Sequence, residues 1–134
     1  MKHEHGWLNS DTLILLSSLI IIWFIFLGFV FKLFQIAKIG NTLETSIRIV
    51  STTHSISITL FGMIDTFWKF SDINKPNTDY HNNVILFCCS FFIYETILFL
   101  FIIRPFAFDA ILHHLFALSG IAVCFPNYGG VTFL

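Results

Sequence analysis

Charge is scarce in this chain. Of its 134 residues 11% are Asp, Glu, Lys or Arg, and the formal net charge is -1. No basic stripe is present to neutralise phosphates, which excludes nucleic acid as a partner. Cysteine is also sparse. Cys88, Cys89 and Cys124 all lie in apolar runs, and none has a paired CxxC spacing. Neither a zinc site nor a disulfide framework is expected, and the three read as small buried hydrophobes. Prolines are few, and each stands at a break between apolar runs: Pro76, Pro105 and Pro126. What the chain has instead is apolar length. It is 56% hydrophobic with 18 phenylalanines, more apolar surface than a soluble domain of this size can bury, and it belongs in a bilayer.

The runs predict an all-α integral membrane bundle of four transmembrane helices, with a partial fifth. Residues 1–11 form a tail. Thr12–Phe31 is free of charge between Asp11 and Lys32 and spans roughly 30 Å as a helix. It is too long for a signal peptide, and no small-residue cleavage site follows it before Lys32. Lys32, Gln35 and Lys38 beside Phe34, Ile36 and Ile39 extend it along the interface until Gly40 ends it. Asn41 with Glu44 three residues on predicts the start of a second helix, which leaves the membrane near Trp68. Ser71–Asn83 reads as a solvent-facing loop that carries His81. Val84–Ile103 is the third span, ended by Arg104-Pro105, and Asp109 to about Phe125 is a short fourth. Val131–Leu134 looks like the opening of a further apolar segment. Lys32, Lys38 and Arg48 flank the first connection and place it on the cytoplasmic side.

Ionisable groups inside spans cost about 2.5–3.5 kcal/mol to insert, so they face a bundle interior or a wet cavity. The second span is crowded with them and with hydroxyls: Arg48, His54 and Asp65 beside Ser51, Thr52, Thr53, Ser55, Ser57 and Thr59. It therefore reads as an inside helix, with Arg48, Thr52, Ser55, Thr59 and Gly62 on one stripe and His54 and Asp65 near a common azimuth. Alternatively, those hydroxyls bond only the carbonyl four residues earlier. Glu95 is the only charge in the third span and needs a partner or a proton, with His54, His113 and His114 as candidates and Tyr94 beside it. In the fourth span Asp109 and His113 share a face at i, i+4, His114 points about 100° away, and Ala117, Gly120 and Cys124 offer a close-packing surface.

An acid with adjacent histidines is compatible with a general base held by a carboxylate, with metal ligation, or with structural hydrogen bonding. A membrane di-iron enzyme needs more histidines at repeated spacings than the three in spans, so no metal and no cofactor is expected. Acyl transfer is the more plausible chemistry. His113 or His114 would act as base or acyl acceptor, with Asp109 orienting His113 and Glu95 as a second acid.

Taken in order, Arg48-Ile49-Val50-Ser51-Thr52-Thr53-His54, Phe92-Ile93-Tyr94-Glu95 and the segment Asp109–Leu118 with its ILHHLFAL core resemble the TLC family. That family of multi-pass membrane proteins includes ceramide synthases, translocating-chain-associating proteins and a ceroid-lipofuscinosis protein, and the likeness is greatest to its small TLC-domain-containing members. The resemblance covers about Asn41 to the C-terminus, so residues 41–134 read as the front part of a TLC-like domain, with 12–40 as a separate first helix. Members of this type usually carry aspartate where Glu95 stands. Ceramide synthases carry a later acidic pair that has no counterpart before Leu134, so their catalytic set is incomplete here.

The resemblance implies an endoplasmic reticulum or other endomembrane protein of lipid homeostasis, binding membrane lipid in an intramembrane polar pocket formed by Arg48, His54, Asp65 and Tyr94. A ceramide-synthase-like N-acyltransferase using acyl-CoA and a sphingoid base, and a cargo receptor or scaffold for membrane proteins or a second copy of the chain, are the alternative expectations.

Overall fold

A computed structural model describes residues 10–68, 77–103 and 108–124 of the chain. Residues 1–9 of the expected tail, the Lys75-Pro76 part of the loop, the Arg104-Pro105 stop and the Val131–Leu134 stub lie outside the described residues, while Ser10 and Asp11, expected in the tail, form the start of the first helix. Four helices follow in order, α1 (Ser10–Ile36), α2 (Thr42–Trp68), α3 (Asp79–Phe101) and α4 (Phe108–Cys124), and no strand occurs among the described residues. The fold is an all-α helical bundle. Helices α1, α2 and α3 are each long and apolar enough to cross a membrane. The fourth, at 17 residues, is shorter, about 26 Å at 1.5 Å per residue.

The helix ends are set locally. At the end of α1 the Ile39 N–H bonds the Phe34 carbonyl and the Lys38 N–H bonds the Gln35 carbonyl, at 3.1 and 3.2 Å, with Lys38 left-handed at φ 55. This is the paired closure normally built on glycine, so the stop falls on Lys38 and not on the expected Gly40. Asn41, also left-handed at φ 54, bonds the Glu44 carboxylate side chain to side chain at 2.9 Å. Thr78 supplies a full capping box to α3. Its hydroxyl accepts from the His81 N–H, and its own N–H donates to His81 Nδ1. That box starts α3 five residues before the expected Val84, and it converts the end of the predicted loop into helix.

The central helix is α3, not α2. Half of α3's apolar window is buried inside the bundle against 11% of α2's. It packs on α1 and α4 and touches α2 more lightly, while α2 rests chiefly on α1. The expectation of α2 as the inside helix is corrected accordingly. Its hydroxyls needed no interior, because Thr52, Thr53, Ser55, Ser57 and Thr59 each bond the carbonyl four residues back, at 2.8–3.1 Å. Such a bond satisfies a hydroxyl that faces hydrocarbon.

Trp23 of α1, Val50 of α2 and Phe91, Tyr94 and Leu98 of α3 share one core cluster, and Ile85 and Cys88 of α3 join Ile121 of α4 in another. The indole N–H of Trp23 donates to Ser90 Oγ at 3.2 Å, and that hydroxyl donates in turn to the Phe87 carbonyl. Ile14, Ile25, Phe29, Phe67 and Phe116 point outward, where acyl chains would cover them. A Cβ added at Gly120 would meet nothing within 4 Å among the described residues, so this glycine is not the close-packing contact expected of it there.

Candidate functional site

Among the described residues two acid–histidine bridges join helices inside the bundle, and both are anchored on α3. Near the start of α3, His81 Nε2 lies 2.8 Å from Asp65 Oδ1 of α2, with both side chains buried. About four turns further along, Glu95 Oε2 lies 3.0 Å from His114 Nε2 of α4, also buried. The other oxygen, Glu95 Oε1, accepts from the Ser51 hydroxyl of α2. Ser51 is thus the α2 hydroxyl that forgoes its own backbone and reaches across. Glu95 thus accepts a hydrogen bond from α2 through one oxygen and stands in ion-pair contact with α4 through the other.

The crossing borders two recesses. One, of about 430 Å³, is lined by Ser51, His54, Ser55, Glu95, His113 and His114 together with Ile58, Phe91 and Phe92. The other, of about 940 Å³, runs from Ser51, Thr52 and Glu95 toward the Glu44–Arg48 pair at the start of α2, walled by Leu43, Ile47, Phe99, Ile102 and Ile103. Ser51 and Glu95 line both and form the partition between them.

Among the described residues three buried side-chain polar atoms have no hydrogen-bond partner: His54 Nε2 and His114 Nδ1, whose residues line the smaller recess, and Tyr94 Oη, whose ring packs against Trp23, Phe24 and Phe91 in the core between α1 and α3. The His54 ring stacks on Phe91 with centroids 3.8 Å apart and planes within 6°, and Trp23 meets it edge-on. Aromatic faces thus take the place of hydrogen bonds for His54. Orphaned polar atoms in low dielectric are costly, and two of the three belong to residues that line the smaller recess.

The sequence-derived residues fall into three groups. Glu95 and His114 are joined directly, with His54 and Tyr94 packed close by. His113 is exposed at the mouth of the smaller recess, its ring centroid 5.8 Å from that of His114. Asp109 is exposed in the first turn of α4 and makes no hydrogen bond to His113 among the described residues, so the carboxylate that holds an imidazole is Glu95, and the imidazole held is His114. Arg48 faces outward and pairs with Glu44 of its own helix at 2.8 Å, yet it lines the larger cleft. Asp65 belongs to the other bridge, at the far end of α3. Sequence reasoning missed His81, read as a loop residue, and Ser51, one hydroxyl among many. The Thr78-x-x-His81 spacing was the signal for the first.

Among the described residues no group of three or more His, Cys, Asp or Glu side chains could hold a metal ion. Comparisons with protein-family models, with curated proteins and with solved structures found no match to this chain.

Proposed function

We propose that the chain is a multi-pass membrane protein of TLC type that works in lipid homeostasis, binding or regulating membrane lipid through the polar cleft between α2 and the end of α3. The endoplasmic reticulum or a related endomembrane is its place in this reading. One observation carries it: the Ser51–Glu95–His114 crossing puts hydrogen-bonding groups from three helices beside a cleft with one polar end and apolar walls, the shape of a headgroup site with room for the first part of a chain. Intramembrane ionisable groups mark functional sites by default. The test is native mass spectrometry of protein purified with its endogenous lipids. Retained lipid that is lost in Ile103→Trp, which fills the cleft without touching the crossing, supports the reading. Protein that carries no lipid in any gentle detergent refutes it.

A second reading is favoured by the carboxylate–imidazole pair with exposed His113 beside it. In an acyl-CoA-dependent N-acyltransferase, His113 would remove the proton from an attacking amine while the crossing fixes the neighbouring ring. Formation of an N-acylated long-chain base from acyl-CoA, abolished by His113→Ala with melting unchanged, would establish it. No turnover by folded protein in membranes would remove it.

A further inference from the structure

We infer that the larger cleft selects a glycerophospholipid whose headgroup pairs a phosphate with a primary ammonium, with the phosphate at Arg48 and the ammonium at Glu95. The inference rests on the lipid-binding reading and specifies its ligand.

The lining of the cleft is bipolar. Its charged members are Glu44, Arg48 and Glu95, two acids and one base, so an occupant that carries a positive group is favoured. Glu95 lies at the deep end, where Ser51 donates to one oxygen and His114 Nε2 stands 3.0 Å from the other, so that of roughly four acceptor positions some remain for N–H donors of a ligand. Arg48 sits at the mouth. Its Nε and Nη2 both donate to Glu44 Oε1, which leaves further N–H donors of the five on its guanidinium for a phosphate.

The helix ends that meet at the cleft have the same polarity. Leu43 and Glu44 belong to the first turn of α2, the positive end of its dipole, and Phe99 lies in the last turn of α3, the negative end of its own. Positive potential therefore lies on the α2 wall and negative on the α3 wall. Between them, Ile47, Phe99 and Ile103 supply the apolar surface that a glycerol backbone and the start of an acyl chain would cover. The volume of about 940 Å³ is at the upper end of the range of small-molecule sites, roughly 300–1,000 Å³.

Each alternative fails on at least one wall. Diacylglycerol offers no charge to either wall, and phosphatidylglycerol satisfies Arg48 but presents no cation to Glu95. Phosphatidylcholine brings the cation without N–H donors. Phosphatidylethanolamine satisfies both walls.

The test is competition among these four lipids, with matched chains, for the detergent-purified full chain, read by native mass spectrometry. Phosphatidylethanolamine should be retained about tenfold over phosphatidylglycerol, the effect of one charge-assisted contact, and by more over diacylglycerol, which lacks both. Arg48→Gln should bring it down toward diacylglycerol, and Glu95→Gln should level it with phosphatidylcholine. Because Glu95→Gln also touches the helix crossing, Ile103→Trp is the companion variant, and it should lower all phospholipid retention with melting unchanged. Equal retention of all four lipids overturns the headgroup assignment and leaves the lipid-binding reading standing. Retention of none overturns both. An ethanolamine preference that survives all three variants moves it away from this cleft and overturns the inference.

Discussion

Replacing Ser51 by alanine tests the crossing at its least disruptive point. The substitution removes one oxygen from a half-buried position and deletes the donor that α2 offers to Glu95. A hydrogen bond to a charged group contributes about 1.5–3 kcal/mol in water-soluble proteins, whereas interhelical bonds in membranes average about 0.6 and reach about 1.7 kcal/mol. The acceptor here is a buried carboxylate whose only other described partner is His114, which places Ser51→Ala near the top of the membrane range, at about 1.5 kcal/mol. Ser55→Ala is the internal control. Ser55 lies one turn away on the same helix, is exposed, and bonds only the Ser51 carbonyl at 3.1 Å. Its replacement should fall within about 0.5 kcal/mol of zero, with any shift toward stability because alanine is the better helix former. Reversible unfolding in mixed micelles, titrated with sodium dodecyl sulfate, measures both. A cycle of Ser51→Ala with Glu95→Gln should return a coupling of about 1 kcal/mol. Equal costs for the two serines, or a coupling indistinguishable from zero, would refute the claim that Ser51 ties α2 to α3.

Three further outcomes can be read in the same unfolding assay. Lys38→Gly should stabilise by about 1 kcal/mol, since φ 55 at that residue strains any side chain with a Cβ and glycine relieves it; a loss of stability would show that Lys38 holds α1 by its side chain. His54→Phe should leave stability unchanged or raise it by up to about 1 kcal/mol, because the ring stack on Phe91 persists while Nε2, which has no partner among the described residues, disappears; destabilisation would mean that Nε2 has a partner. His81→Phe should cost about 3 kcal/mol, because it leaves Asp65 buried without its partner and also breaks the capping box on Thr78, and a cost below about 1 kcal/mol would contradict the bridge.

Hydrophobic length made the helices legible. The charge-free stretch from Thr12 to Phe31 lies wholly inside α1, and the Asn41–Glu44 spacing located the start of α2 within one residue. The order of burial was not legible, because polarity was taken as the mark of an interior helix. Most α2 hydroxyls satisfy themselves on their own backbone, so they carry no information about which way the helix faces. In a chain this apolar the buried helix is the one that touches most neighbours, and α3 has an ordinary hydrophobic sequence. Glu95 and His114 were legible as a candidate pair because an acid and a histidine in separate spans each need a partner. Asp109 and His113 were joined on helical spacing alone, but i, i+4 geometry brings two side chains to one face without making them bond, and both are exposed. His81 was hidden because a polar segment with many asparagines and aspartates read as loop, although a threonine three residues before a histidine that accepts from it begins a helix there.

The arrangement follows from what holds helices together in lipid. With apolar surface on both sides of every contact, burial of hydrocarbon gives little preference for one register of α3 over another, and packing shape and polar bonds decide. The bridges Asp65–His81 and Glu95–His114 clamp α3 against α2 near its start and against α4 beyond its middle, and sliding α3 by a single residue would break both. Glu95 is then fixed beside the cleft by the requirement that α3 be in register, with no separate device to position it. The same coupling sets the terms on which the site can be altered. A variant that removes Glu95 outright also releases α4, so loss of binding in Glu95→Ala would say little about the ligand. Glu95→Gln retains oxygen for Ser51 and an amide for a retautomerised His114, and cleft-filling changes at Ile103 leave the clamp alone. Those are the substitutions in which binding and folding separate.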